Sequence, residues 1–188
     1  CANAEANVGA ASHLDSMESV ARILHRMKEA GYAITPPSDG KELIETIMGK
    51  KAISEFRWTT VEDIVAKGGD LLQMDMPTYL PHFTSLPPAV QKRVNETWGE
   101  PPGLGMVYKD RILITGLSYG NATVHVQPKR GCYGARCDGQ VCKILHDPDC
   151  PPPHQYLATY QYIQKIFGAD VVVHVGTHGN LEFLPGKG

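Results

Sequence analysis

The sequence contains no apolar run approaching the roughly 20 residues needed to cross a bilayer, so no membrane-spanning helix is expected within it. It also lacks an excess of either charge. The formal net charge is −2, with 18 Lys and Arg against 20 Asp and Glu, which argues against a broad basic surface for nucleic acid. Cysteine is sparse: five residues, Cys1, Cys132, Cys137, Cys142 and Cys150, odd in number and uneven in spacing. That pattern argues against a secreted disulfide framework and fits a reducing, cytoplasmic setting. The first residues, Cys1-Ala2-Asn3-Ala4-Glu5, offer no basic or apolar leader and no initiator Met. The last, Pro185-Gly186-Lys187-Gly188, read as loop, so both ends look interior to a longer chain. A phosphate loop is missing as well. Leu181 stands where the first Gly of that motif belongs, and Gly188 follows Lys187 in place of Ser or Thr.

What is present is an ordinary globular balance, 42% apolar and 20% charged, over 188 residues. Asp15 or Ser16 can cap a helix whose apolar positions Val20, Ile23, Leu24 and Met27 recur at helical spacing before Gly31. Tyr32-Ala33-Ile34 reads as a short strand. Further helices are predicted from Asp39 to Met48, from Thr60 to Ala66 and from Pro88 to Trp98, while 70–88 reads as irregular because four prolines punctuate it. Beyond Glu100-Pro101-Pro102-Gly103 an antiparallel meander is expected, with Met106-Val107-Tyr108 paired to Ile112-Leu113-Ile114 across Lys109-Asp110 and a further strand over 123–126. The change of character sets a boundary near residue 100: a mainly helical part of an α/β region over 1–100, then a meander plus an α/β unit over 101–188. Residues 129–150 read as a long loop. A helix from Pro151-Pro152-Pro153 to Phe167 follows, with Tyr156, Tyr160, Ile163 and Phe167 on one face. Val171-Val172-Val173 is then expected as a strand buried on both faces, and Gly176-Thr177-His178-Gly179-Asn180 as the loop beyond its end. The fold class is α/β, helices packed on a mixed sheet, as a fragment of a larger multidomain subunit.

His174, His178 and Glu182 cluster around that loop. A helical zinc pair is ruled out by Gly176 and Gly179, yet a strand-end imidazole, a loop imidazole and a carboxylate can converge on one crevice. Such a set suits a borderline divalent ion such as cobalt, nickel or zinc. The plainer alternative makes His174 a buried strand residue and His178 a turn residue. The cysteines Cys132, Cys137 and Cys142 lie five apart, unlike a tight zinc site, and free thiols are the simpler reading. His154 is either a solvated neighbour of a helix cap or the wall of an active site.

The run Gly168-Ala169-Asp170, the apolar strand, and His174-Val175-Gly176-Thr177-His178-Gly179-Asn180-Leu181-Glu182-Phe183-Leu184-Pro185-Gly186-Lys187 resembles the signature of large chelatase subunits. These are the cobalt-chelatase subunit CobN and the magnesium-chelatase H subunit. Asn121 to Pro128, His146 to Tyr160, and Asn7-Val8-Gly9 through Asp15 are similar too, so the resemblance covers most of the chain and is weakest over 35–100. Two departures stand out: Gln155 where the family often has a second His, and Gly131 to Arg136 where the magnesium type carries an acidic Gly-rich run. With the triple proline, the latter favours the cobalt type.

The resemblance implies a tetrapyrrole-binding subunit of an ATP-dependent cobaltochelatase, inserting Co(II) into a corrin-type ring, hydrogenobyrinic acid a,c-diamide, in cobalamin biosynthesis. ATP would be hydrolysed by AAA+ ATPase partner subunits and not by this segment, and neither nucleic acid nor membrane is expected as a partner. It implies Glu182 as proton acceptor or metal relay, His174 and His178 as ligands of the incoming metal, and His154, Lys187, Thr177 and Asn180 as substrate contacts. Three alternatives stay open: a magnesium-protoporphyrin chelatase H subunit, a metal-binding or scaffold module without activity of its own, and an unrelated metallohydrolase.

Overall fold

A computed structural model describes residues 10–11, 13–54, 59–130, 147, 149–176 and 184–185. Seven short strands and six α-helices alternate through these residues. Strands β1 (Ala10–Ala11) and β2 (Leu14–Asp15) form a small antiparallel pair leading into helix α1 (Ser16–Glu29). The Asp15 carboxylate accepts the Glu18 amide at 2.9 Å, which satisfies one of the donors a helix start leaves unpaired. Arg26 and Lys28 in the last turn face the negative end of the helix dipole, and the helix closes where Gly31 takes φ 95°. Helix α2 (Gly40–Lys50) is capped in the same way by Asp39. Gly40 is required by packing: a Cβ there would stand 2.4 Å from the Glu18 amide nitrogen of α1. The two helices close on a core of Leu43, Ile47, Ala52, Ile53 and Leu117.

Helix α3 (Val61–Ala66) starts at a capping box in which Thr60 and Asp63 exchange side-chain and backbone bonds. It ends at Gly68, and the chain enters strand β3 (Asp70–Met74). Helices α4 (Met76–Thr84) and α5 (Pro88–Trp98) follow. Strands β4 (Val107–Tyr108) and β5 (Arg111–Thr115) then make the expected hairpin, with Lys109 and Asp110 both at positive φ, the twist that a two-residue turn between antiparallel strands needs. The three-stranded sheet has the order β3-β5-β4 and is antiparallel throughout.

Strand β5 organises the interior. Its alternation sends Ile112 and Ile114 to one face, with Met74, Tyr79, Phe83, Val94, Trp98, Ala158 and Tyr162. Leu113 faces the other way, onto Ile64 and Met106. Both faces are therefore covered, which is why four consecutive residues of this strand are buried. Strands β6 (Leu117–Ser118) and β7 (Thr123–Val124) form a separate hairpin through the turn at Gly120. Helix α6 (His154–Gln161) lies against β5 and continues as a π-helical turn, Tyr162–Ile166, with the Phe167 amide bonded to the Tyr162 carbonyl at 2.8 Å.

The expected mixture of helices and sheet is what the chain builds, but four local readings change. Residues 70–88 are a strand and a helix, not an irregular stretch. Pro77 sits in the first turn of α4, where a missing N–H costs nothing, and the buried pair Tyr79 and Phe83 holds the helix through the interior Pro81. Tyr32-Ala33-Ile34 is not a strand; the Ala33 backbone is instead bonded by the side chain and backbone of Asn121. The boundary near residue 100 divides no core, because β3 pairs with β5 across it and residues from both sides share one cluster. Val171-Val172-Val173 is neither a strand nor buried. Its side chains are 75%, 49% and 62% exposed, since no strand among the described residues runs beside it.

Candidate active site

Of the sequence-derived site residues, two have described positions. His178, Glu182, Thr177, Asn180 and Lys187 lie outside the described residues, as do Cys1, Cys132, Cys137 and Cys142. Among the described residues no group of three His, Cys, Asp or Glu side chains converges to hold a metal ion.

His154 is neither a solvated cap neighbour nor the wall of an open pocket. It is 1% exposed at the start of α6. Its Nε2 lies 2.9 Å from the Gly99 carbonyl oxygen and its Nδ1 lies 2.8 Å from the Tyr79 hydroxyl. A carbonyl only accepts, so Nε2 carries the proton and Nδ1 accepts from Tyr79. Burial holds this imidazole below the ordinary histidine range, opposed by the Gly99 carbonyl bond. Burial likewise pushes the Tyr79 phenol well above the usual tyrosine range. The rings of Tyr79 and Phe83 pack around the imidazole at 5.7 and 4.9 Å. The Trp98 indole donates to the Pro151 carbonyl at 2.8 Å, tying the proline run before α6 to the end of α5.

Behind α6 lies a buried polar layer. Gln155 donates to the Ser54 hydroxyl at 2.8 Å, and Ser54 in turn meets Thr115 at 3.1 Å. The side-chain carbonyl of Gln155 finds no partner among the described residues. His125, from the segment after β7, bonds the Thr115 carbonyl through Nδ1 and the Thr123 hydroxyl through Nε2. Burial lowers its pKa, with the Thr115 bond acting the other way.

The outer face of α6 is where the structure brings a predicted metal ligand together with other groups. Tyr156 and Tyr160 stand one turn apart, their rings 5.1 Å apart and 29° from parallel. His174 continues the row at 6.4 Å and 23° from the Tyr160 ring. The series runs outward from buried Tyr156 through half-buried Tyr160 to exposed His174. The Gln127 amide donates to both phenol oxygens, at 3.4 and 3.2 Å. Burial, then a hydrogen bond to Tyr160, pushes the Tyr156 phenol far above the usual range. Tyr156 is thus a neutral phenol beside the Tyr160 ring. The spacing of the two tyrosines was visible in the sequence, which sets them on one helix face; Tyr156 is buried on that face and half-buried Tyr160 marks its edge. Nothing local marked Gln127 as their partner, because the contact joins residues 29 and 33 positions apart.

The sequence model of the family described as CobN/Magnesium Chelatase matches residues 1–188. An uncharacterized protein of Methanocaldococcus jannaschii is 57% identical over all of this chain, which spans 16% of that relative. The aerobic cobaltochelatase subunit CobN of Pseudomonas aeruginosa is 32% identical over 98% of this chain and 14% of its own length. The chloroplastic magnesium-chelatase subunit ChlH of Oryza sativa is 33% identical over 96% of this chain and 12% of its own. Among solved structures, the catalytic subunit of cobaltochelatase from Mycobacterium tuberculosis superposes with a TM-score of 0.74 at 33% identity, covering 95% of this chain and 15% of that one. The likeness in sequence and in fold runs the length of the chain, and the chain belongs to the CobN/magnesium chelatase family.

Proposed function

We propose that this chain is part of the tetrapyrrole-binding subunit of an ATP-dependent cobaltochelatase, which inserts Co(II) into hydrogenobyrinic acid a,c-diamide during cobalamin biosynthesis in the cytoplasm. The observation that carries the reading is the 33% identity and shared fold with a cobaltochelatase catalytic subunit across 95% of the chain. Metal insertion has two barriers: the ion sheds water, and two ring N–H protons leave. Imidazoles lower the first by replacing lost waters, and a carboxylate lowers the second by accepting protons. His174, exposed at the end of the aromatic row, and His178 hold the incoming ion. Glu182 takes the ring protons. Thr177, Asn180 and Lys187 contact the macrocycle, Lys187 as a point charge toward a peripheral carboxylate. His154 supports the site from beneath by fixing the start of α6. AAA+ partner subunits hydrolyse ATP and supply the driving energy.

The test is Glu182→Gln in the full-length subunit, assayed with its ATPase partners, ATP, Co(II) and the corrin-type ring. The expected result is a fall in insertion rate of about 100-fold or more with ring affinity retained. A near-normal rate removes Glu182 from the chemistry. The magnesium reading is favoured by one observation, the 33% identity to a magnesium-chelatase subunit. Insertion of Mg(II) into a porphyrin by the same assembly, with no turnover of the corrin-type ring, would replace cobalt with magnesium.

A further inference from the structure

The phenol oxygen of Tyr160 accepts a hydrogen bond from Gln127. Gln127 donates to the oxygens of both Tyr156 and Tyr160. A phenol oxygen has two lone pairs and one proton to give. Gln127 Nε2 is a donor and occupies one lone pair of the Tyr160 oxygen, so the proton of Tyr160 points away from Gln127. Among the described residues no acceptor receives it. A hydroxyl that accepts one hydrogen bond is polarised into a better donor for the next. That donor stands on a half-buried ring whose face backs the imidazole of exposed His174.

We infer that Tyr160 is a ring-positioning residue, its hydroxyl donating to a peripheral carboxylate or carboxamide oxygen of the tetrapyrrole while its ring holds the His174 imidazole flat beside the macrocycle. This rests on the chelatase reading and deepens it. A flat guest aligned with the Tyr156–Tyr160–His174 row extends an existing stack, since each ring already lies within 30° of the next. An oxygen on a peripheral side arm of the guest, reaching back past His174, then meets the phenol proton. Tyr156 is too buried to serve.

The experiment uses the full-length subunit and two metal-free probes, hydrogenobyrinic acid a,c-diamide and protoporphyrin, each titrated by absorbance and fluorescence quenching. Tyr160→Phe keeps the ring and removes the donor. It is expected to weaken binding of the preferred probe about tenfold, the worth of one hydrogen bond. KM should rise with kcat retained, and Co(II) affinity measured without the ring should stay unchanged. Tyr160→Leu, which also removes the stack, should weaken binding further. Tyr160→Phe with ring affinity within about twofold of the unaltered subunit overturns the assignment, and so does an equal loss of Co(II) affinity, which would mark a general disturbance of the fold. Failure of the unaltered subunit to bind either probe overturns the chelatase reading and this inference together; binding that Tyr160→Phe leaves unchanged overturns only the inference.

Discussion

The Tyr79 hydroxyl lies 2.8 Å from Nδ1 of His154, joining the middle of α4 to the first residue of α6 across 75 positions of sequence. With Nε2 committed to the Gly99 carbonyl, the imidazole is fixed in one tautomer by two partners. Nitrogen-15 spectra of labelled histidine should therefore show His154 protonated at Nε2 and not at Nδ1. Tyr79→Phe leaves Nδ1 buried without a donor, at a cost of about 1–3 kcal/mol in urea unfolding of this chain. A cost near zero would show that the bond contributes nothing net.

The same contact makes stability depend on pH. Burial lowers the folded-state pKa of both His154 and His125. The unfolded chain takes up protons first, as pH falls through about 6.5. The stability carried by the two neutral rings is complete above that value and is lost as pH falls toward their folded values. Asp75 is also lowered, by its bonds to Thr78, but its contribution is lost only below the ordinary carboxylate range near about pH 4. Urea midpoints should be level above about pH 7 and decline from about pH 6.5 toward 5. A profile level down to about pH 5 would mean that both rings charge freely in the folded state.

Gly103 fixes the other side of the ring. Its φ is 76°, and a Cβ there would stand 2.3 Å from Cδ2 of His154. Gly103→Ala adds left-handed strain to an overpacked contact and should cost about 2–4 kcal/mol. Thermal unfolding measures it, and a loss below about 0.5 kcal/mol would show that the imidazole has room to move.

At the start of α3, Thr60→Ala removes half of a capping box and should cost about 1 kcal/mol, with Thr60→Ser restoring most of it. Equal losses for Ala and Ser would assign the effect to the methyl group, not to the bond with the Asp63 amide.

Ile112 and Val172 make a contrast between two β-branched residues. Ile112 is fully buried in the main core, whereas Val172 is 49% exposed. Ile112→Ala should cost about 2–5 kcal/mol and Val172→Thr less than about 0.5 in this chain. A large effect of Val172→Thr here would mean that this segment packs inside the chain after all.

The local signals were legible where they act within one turn or one hairpin. Asp15, Asp39 and Thr60 each announced a helix start, and Lys109-Asp110 announced the β4–β5 turn, because a cap or tight turn is satisfied by atoms a few residues away. The sequence misled where proline and valine act through distant partners. Pro81 is tolerated because Tyr79 and Phe83 are anchored in a core built by residues 70 positions and more downstream, such as His154 and Ala158. Val171 to Val173 carry the composition of a buried strand, but a strand needs a neighbour, and composition does not supply one.

For the site, the sequence alone determined the cast of chemically capable groups: two imidazoles and a carboxylate around a Gly-rich bend, and the resemblance that binds them to a family. Side-chain type and spacing suffice for that, since pKa range and metal preference are properties of the groups themselves. Only the tertiary structure decided which of them work in the open. It put His154 in the core with both nitrogens committed, left His174 at the surface, and set Gln127 against Tyr156 and Tyr160. Burial and hydrogen-bond partnership depend on what the rest of the chain brings within about 3 Å, and no single stretch of sequence carries that information.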